Sequence, residues 1–290
     1  MAQLKNTTIN DTGFIRLPLG TSAQRPSGTQ GMVRYNTQTN VIEFFNGSSW
    51  IGVGLLDGSS QSTANTSAAA IKALTGTNTD GAYWINLPTV GAKPTFCLMN
   101  SSAAGEGGYM LAMKGTQGTT FNYNSSYWTS TNLLNESAMD RNDGDAKYDV
   151  FNYYTASVFV AFFPDLNNGG QTSGFGTGWH WRQAGQNTTA LNRFQVYEVL
   201  SNNPRGESMW LGSGFSAQSG FQQYAFNYTG NGRNAVRWGF GWNNEGDQAS
   251  NDVTSGIAPV RAGTSAGDHI YCCQSTTGVN RAVRFEIWVR

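Results

Sequence analysis

The densest set of oxygen donors follows a run of indoles, in "WGFGWNNEGDQASNDVTSGI" from Trp238 to Ile257. The first half alternates as a strand does, with Trp238, Phe240 and Trp242 on one side and Gly239 and Gly241 between them. Asn243, Asn244, Glu245, Asp247, Asn251 and Asp252 then arrive within ten positions. Calcium takes about six to eight oxygens from carboxylates, Asn side chains and backbone carbonyls, and this loop offers all three. Two readings stand: a loop ordered by Ca2+ on Asn244, Glu245, Asp247 and Asp252, or a hydrated polar loop. Trp242 abuts the loop, so it is the candidate exposed platform for the C–H face of a sugar. Asn243, Asn251 and His269 are the candidate polar contacts beside it.

A second cluster, "MDRNDGDAKYD", carries Asp140, Asn142, Asp143, Asp145 and Asp149. These groups repel one another unless a cation or solvent intervenes, which makes Asp140, Asp143 and Asp145 further Ca2+ candidates. The spacing is not that of an EF-hand, because the closing Glu and flanking helices are missing. The alternative is a plain acidic loop.

Catalysis has little to work with. The chain holds two histidines, His180 and His269. His180 lies in "WHW" and reads as a structural residue, and no nucleophile–base–acid spacing appears. A polysaccharide-cleaving enzyme would need two facing carboxylates, drawn from 140–149 and 245–252. The expectation is that the protein is not an enzyme.

Composition sets the frame for these sites. The 290 residues are 39% hydrophobic and only 12% charged, with 18 basic and 18 acidic side chains and zero net charge. No basic field exists to attract nucleic acid or anionic lipid. No run reaches the roughly 18 apolar residues of a membrane span. The N-terminal residues contain no apolar run of the signal-peptide type. The three cysteines, Cys97, Cys272 and Cys273, are odd in number and two are adjacent, which suits assembly in a reducing cytosol.

A polar surface built from Asn, Ser, Thr and Gly predicts a mainly β protein with long loops and minor helix (α+β). The chain divides into residues 1–56, a linker at 57–68, and a large domain at 69–290. In the first part, strands are expected at Met32–Tyr35, Val41–Phe45 and Trp50–Val53, separated by Asn/Thr and "NGSS" turns. Alone, such a meander buries too little surface to be stable. "SAAAIKAL" (67–74) is the one short helix expected. Strands are expected in "AYWINL", "TFCLMN", "YMLAMKG", "SVFVAFF", "NRFQVYEVL", "AVRWGFGW" and "AVRFEIWV".

Residues 17–50 resemble a module of bacteriophage tail-fibre and virion structural proteins. The carriers are Gly20, Thr21, Arg25, Pro26, Gly31, Arg34, Tyr35, Asn36, Thr39, Glu43, Asn46, Gly47 and Trp50. Residues from about 67 onward resemble the fibrinogen C-terminal domain, in its intelectin-type branch. That likeness rests on Ile71, Lys72, Asp80, Gly81, Tyr83, Ile85, Cys97, Met99, Gly107, Gly108 and Leu111, on "GWHWRQ", and on the final "AVRFEIWVR". The family's first cysteine is missing near Ala68–Ala70, so Cys97 lacks its usual disulfide partner and another anchor must hold the small helix. The resemblance implies a phage virion protein made in the host cytoplasm, a homotrimer attached to other virion proteins by its N-terminal part. Its large domain would recognise host-surface glycans through calcium, although no His follows at the family's ligand position after Glu245. The alternative is a structural capsid, neck or tail decoration that binds no glycan.

Overall fold

The computed structural model describes residues 12–100, 102, 105–166, 172–173, 175–202, 220, 222–230, 234–246, 252–270 and 281–290. The fold is mainly β, with 41% strand and 12% helix, as the composition predicts. Two compact units divide at Leu55 and Leu56.

The smaller unit holds β1 (Leu19–Gly20), β2 (Val33–Asn36), β3 (Val41–Phe45) and β4 (Trp50–Val53). They form one sheet in the order β1-β2-β3-β4. β1 runs parallel to β2, and the other pairs are antiparallel. One face carries Arg34, Asn36 and Glu43 and is covered by residues 21–30. Glu43 pairs with Arg25 at 2.8 Å and with Arg34 at 3.3 Å. Arg34 donates to the carbonyls of Gln24 and Thr21, and the Asn36 amide donates to Ser22 Oγ and Glu43. Gly28 lies on the Phe45 ring, where a Cβ would come within 2.2 Å. The motif residues are thus the ones that clamp this segment onto the sheet.

The larger unit contains, in chain order, α1 (Ala68–Thr75), β5 (Gly81–Leu87), β6 (Gly91–Leu98), β7 (Tyr109–Gly115), β8 (Ala146–Lys147) and α2 (Asp149–Tyr153). β9 (Ala156–Phe163), β10 (Thr172–Ser173), β11 (Gly176–Thr177), β12 (Trp179–Thr188), α3 (Ala190–Arg193) and β13 (Glu198–Ser201) follow. The last are β14 (Gln222–Tyr228), β15 (Val236–Trp242), β16 (Val253–Ile257), β17 (Ala266–Ile270), β18 (Arg281–Ala282) and β19 (Phe285–Val289). One sheet has the order β12-β9-β19-β7-β6-β5, with β8 on β7; a second runs β13 to β18 in sequence. β10 and β11 pair separately. The two large sheets meet through aromatic rings. Trp181 lies 5.4 Å from Tyr224 and 6.1 Å from Trp238, and Phe159 lies 6.1 Å from Phe226.

Two expectations need correction. Residues 57–68 are not a free linker but part of the larger unit. Trp84 N donates to Gly58 O, and Asn65 bridges to Ile85 in β5. The stretch "NRFQVYEVL" is not one strand: Thr189 caps α3, and the strand begins only at Glu198. The short helix forms where expected, with Ser67 accepting from Ala70 N at its start and Gly76 closing it at φ 70°. In place of a disulfide, α1 is held by buried Ala68 and Ile71, by Lys72 donating to Met99 O at 2.8 Å, and by Gly108. A Cβ on Gly108 would meet Ala69 Cα at 2.8 Å. Cys97 is a buried free thiol, and burial pushes it up; Cys272 and Cys273 lie outside the described residues. Among the described residues, no helix is long and apolar enough to cross a membrane.

Candidate functional site

The end of the second large sheet gathers most of the residues singled out in the sequence. β15 and β16 are joined by residues 243–252, and β17 lies next to β16. In register, Trp242 faces Val253 and Val253 faces Ile270. Asn243, Asp252 and His269 therefore sit within a residue or so of the base of one loop. Asp247 and Asn251 lie outside the described residues.

The sheet's two faces differ in kind. Trp238, Phe240 and Trp242 point into the core, Trp238 lying 4.6 Å from Phe226 and Trp242 lying 5.2 Å from Phe240. Trp242 is 1% exposed. It is a core residue and not the exposed platform that its position beside a polar loop suggested. The reason is strand period: it shares the parity of Trp238 and Phe240, and that face meets the first sheet.

The opposite face is floored by glycine. Gly239, Gly256 and Gly267 are neighbours across three strands, as are Gly241, Thr254 and His269. A Cβ on Gly239 would sit 2.0 Å from Ser255 O, and one on Gly256 2.2 Å from Trp238 O. Gly256 adopts φ 139°, a conformation that excludes ordinary side chains. Over this floor stand Thr254 Oγ1 and His269 Nδ1, both buried and without a hydrogen-bond partner among the described residues. Burial, then the charge of Arg261, holds His269 below the usual imidazole range, so it is neutral at pH 7. A neutral imidazole and a hydroxyl can each donate or accept, and an unmet buried pair calls for a water or a ligand hydroxyl.

Asp268 does not activate His269. It faces the other side of the sheet, where it pairs with Arg281 at 2.7 Å. Burial raises its carboxyl, and Arg281 opposes that shift. No charge-relay pair forms.

In the loop itself, Asn243 and Asp252 are buried, while Asn244 and Glu245 are exposed. Asp252 N donates to Trp242 O at 2.7 Å, and Asp252 Oδ2 accepts from Asn244 N at 3.3 Å. The Asp252 carboxylate thus closes the hairpin base. Gly220 presses on the loop so closely that a Cβ would lie 2.2 Å from Glu245 O.

The second cluster lies in the first sheet's region, and its carboxylates part company. Asp140 takes Lys114 Nζ at 2.7 Å, and the same ammonium donates to Asn142 O. Asp145 accepts from Thr116 N at 3.0 Å and from Thr120 Oγ1. Asp149 pairs with Lys93 at 3.2 Å. Asp143 lines a small hollow with Lys114, Arg141, Arg284 and Glu286. Arg141 is forked onto Glu286 and lies 5.2 Å over Phe162 and 5.3 Å over Trp288. The charge that offsets these acids therefore includes lysines and arginines far away in sequence, which local spacing could not reveal. Among the described residues, no three Asp, Glu, His or Cys side chains gather as a metal-holding group.

A separate groove of about 300 Å3 is lined by Lys93, Pro94, Glu136, Ser137, Met139 and Asp149. It was not foreseen, because its walls come from β6, α2 and an irregular loop. Compared with protein-family models and with curated proteins, the sequence finds no match.

Proposed function

We propose that this chain is a bacteriophage virion structural protein, a fibre or other appendage. Its small unit attaches and assembles, and its larger unit meets host-surface glycans. The observation that carries the reading is the inverted build of the small unit. Its motif residues Arg25, Arg34, Asn36 and Glu43, with the half-buried Phe45 and Trp50, form the covered side, while Leu19, Val33, Ile42, Ile51 and Val53 face outward. A soluble domain places these the other way round; a module made to be covered does not. For the larger unit, support comes from the polar pair Thr254 and His269 above the glycine floor. The exposed Asn244 and Glu245, with Asp247 and Asp252, are the groups that would hold a Ca2+ in this reading.

The test is a glycan array probed with the full chain in calcium and in EDTA, with thermal unfolding in both. Sugar binding that EDTA abolishes supports recognition through the 243–252 loop. Sugar binding indifferent to EDTA keeps recognition and removes the ion. Binding of no glycan in either condition refutes recognition. It would favour the second reading, a structural decoration or adaptor. One observation favours that reading: Asp140, Asp145 and Asp149 are engaged by the protein's own donors and cations.

A further inference from the structure

β6 and β8 share one edge of β7, because β19 occupies the other. Cys97 and Leu98 of β6 pair with Met110 and Tyr109, and further along Lys147 and Ala146 of β8 pair with Met113 and Lys114. Where β8 replaces β6 the sheet forks, and residues 91–96 pair with β5 alone. The groove of about 300 Å3 lies in this fork. An open strand edge leaves amides unmet, and Pro94 stands on it with no N–H to satisfy. Lys93 reaches across the fork to Asp149 at 3.2 Å. The far wall, residues 134–139, is pinned along its length. Leu134 and Lys147 exchange backbone hydrogen bonds at 2.9 and 3.2 Å. The Asn135 amide donates to Asp145 O at 2.8 Å, and the Tyr148 hydroxyl donates to Ala138 O. The site is therefore built in advance, and a ligand need not order it.

The lining is divided in character. Pro94, Met139 and Tyr148 supply carbon: the Tyr148 hydroxyl is already engaged, and Met139 packs on the cluster that includes Leu98 and Trp288. Lys93, Glu136, Ser137 and Asp149 supply charge and hydrogen bonds. Lys93 and Asp149 offset each other. Glu136 is exposed and meets no cation among the described residues, so one negative charge is left over. We propose that the groove binds one saccharide ring carrying a protonated amine. This rests on the reading of the larger unit as one that meets glycans. It adds a second site, away from the 243–252 loop and on the other sheet, with its own class of sugar. The volume is at the small end of the roughly 300–1,000 Å3 of small-molecule sites, which suits a ring rather than a long chain. A sugar's C–H face packs on Pro94 and Met139, and its hydroxyls meet Ser137 and the Lys93–Asp149 pair. The ammonium donates a charge-assisted hydrogen bond to Glu136. A neutral sugar would leave Glu136 uncompensated, and a plain alkylammonium would leave the other polar groups to water.

The experiment is an NMR titration of the full chain, isotope-labelled at its methionine methyls, in EDTA at mildly acidic pH. The probes are glucosamine, glucose, N-acetylglucosamine and pentylamine. The Met139 methyl signal, identified by its loss in Met139→Leu, should move with glucosamine. The three other probes should need concentrations about threefold higher or more. Glu136→Gln, on the exposed wall, should weaken glucosamine by about threefold or more and no longer distinguish it from glucose. A Met139 signal unmoved by glucosamine overturns the proposal, as does an equal response to glucose or a Glu136→Gln variant that binds like the wild type. A response to pentylamine as strong as to glucosamine overturns the sugar, and would mark the groove as a pocket for a basic side chain. The two readings fail separately. An empty glycan array with a moving Met139 signal refutes the reading of the 243–252 loop and leaves the groove, and array binding with a still Met139 signal does the reverse.

Discussion

Lys147 is fully buried in β8 with no described carboxylate in ion-pair reach. Its ammonium donates to Tyr127 O at 2.7 Å and Ser130 O at 2.6 Å, and lies 4.7 Å from the Phe151 ring. Burial lowers it from 10.5 to about 8. Between these values the unfolded chain holds a proton that the folded chain has released. Stability must therefore rise with pH across that window, and the penalty for burying the charge is fully present below it. The rise attributable to this one group is about 2 kcal/mol between pH 7 and pH 9.5, or on the order of 4–8 °C in midpoint for a unit of this size. Buried tyrosines act in the opposite sense: burial pushes Tyr109 up to about 12, so stability is lost above the ordinary phenol value. Comparison with Lys147→Met cancels that contribution. The variant removes the desolvated charge but leaves two carbonyls without their donor, each worth about 1–3 kcal/mol. Its absolute stability at pH 7 should therefore change little or fall modestly. The decisive reading is the difference in thermal midpoint between wild type and variant from pH 7 to pH 9.5. A difference that shifts by several degrees toward the wild type supports the argument. Parallel curves would refute it, and would mean that Lys147 stays charged through its two carbonyls.

Glu43→Gln leaves the buried Arg34 without its carboxylate and should cost about 3–5 kcal/mol, read as lost exchange protection in β2 and β3. The Arg25 hydrogen bond is the main cause holding Glu43 below the usual carboxylate range. Its contribution is therefore present above that range and lost as pH falls through its lowered value. Trp242→Ala should lower the larger unit's stability by about 3–5 kcal/mol; a melt like the wild type's would contradict its inward placement. Gly256→Ala should unfold the β15–β16 pairing, since its Cβ would lie 2.2 Å from Trp238 O, whereas Gly246→Ala meets nothing within 4 Å among the described residues and should be nearly neutral.

What the sequence disclosed was local. Alternation around Trp238 and Phe240 marks β15, Ser67 and Gly76 bracket α1, and "NGSS" turns β3 into β4. What it hid was sidedness and distance. Period two says that Trp242 shares a face with Trp238, but not which face meets the other sheet. A cluster of four aspartates and an asparagine suggested a cation, yet Asp140 finds Lys114, 26 residues earlier. The glycine floor was printed in "GFG", "SGI" and "AGD", but only strand pairing brings those glycines together. In the small unit β2, β3 and β4 were legible to within a residue, whereas the two-residue β1 was not foreseen. The inversion of its faces was not, because a pattern of alternating apolar and polar residues does not say which side will be covered.

β19 lies between β7 and β9, bonded to both. Phe285 to Val289 therefore form a middle rung of the sheet although the ribosome delivers them about 170 residues after β7. Until then, β7 and β9 each present an open edge of unpaired amides and carbonyls, a template for sticking to neighbouring nascent chains. The small unit has left the exit tunnel long before. On a polysome, then, the small unit's outward apolar residues are on display while the larger unit is still open at its centre. A chain interrupted before Phe285 would carry exposed apolar strands and a broken sheet, and should be removed by chaperones and proteases or aggregate.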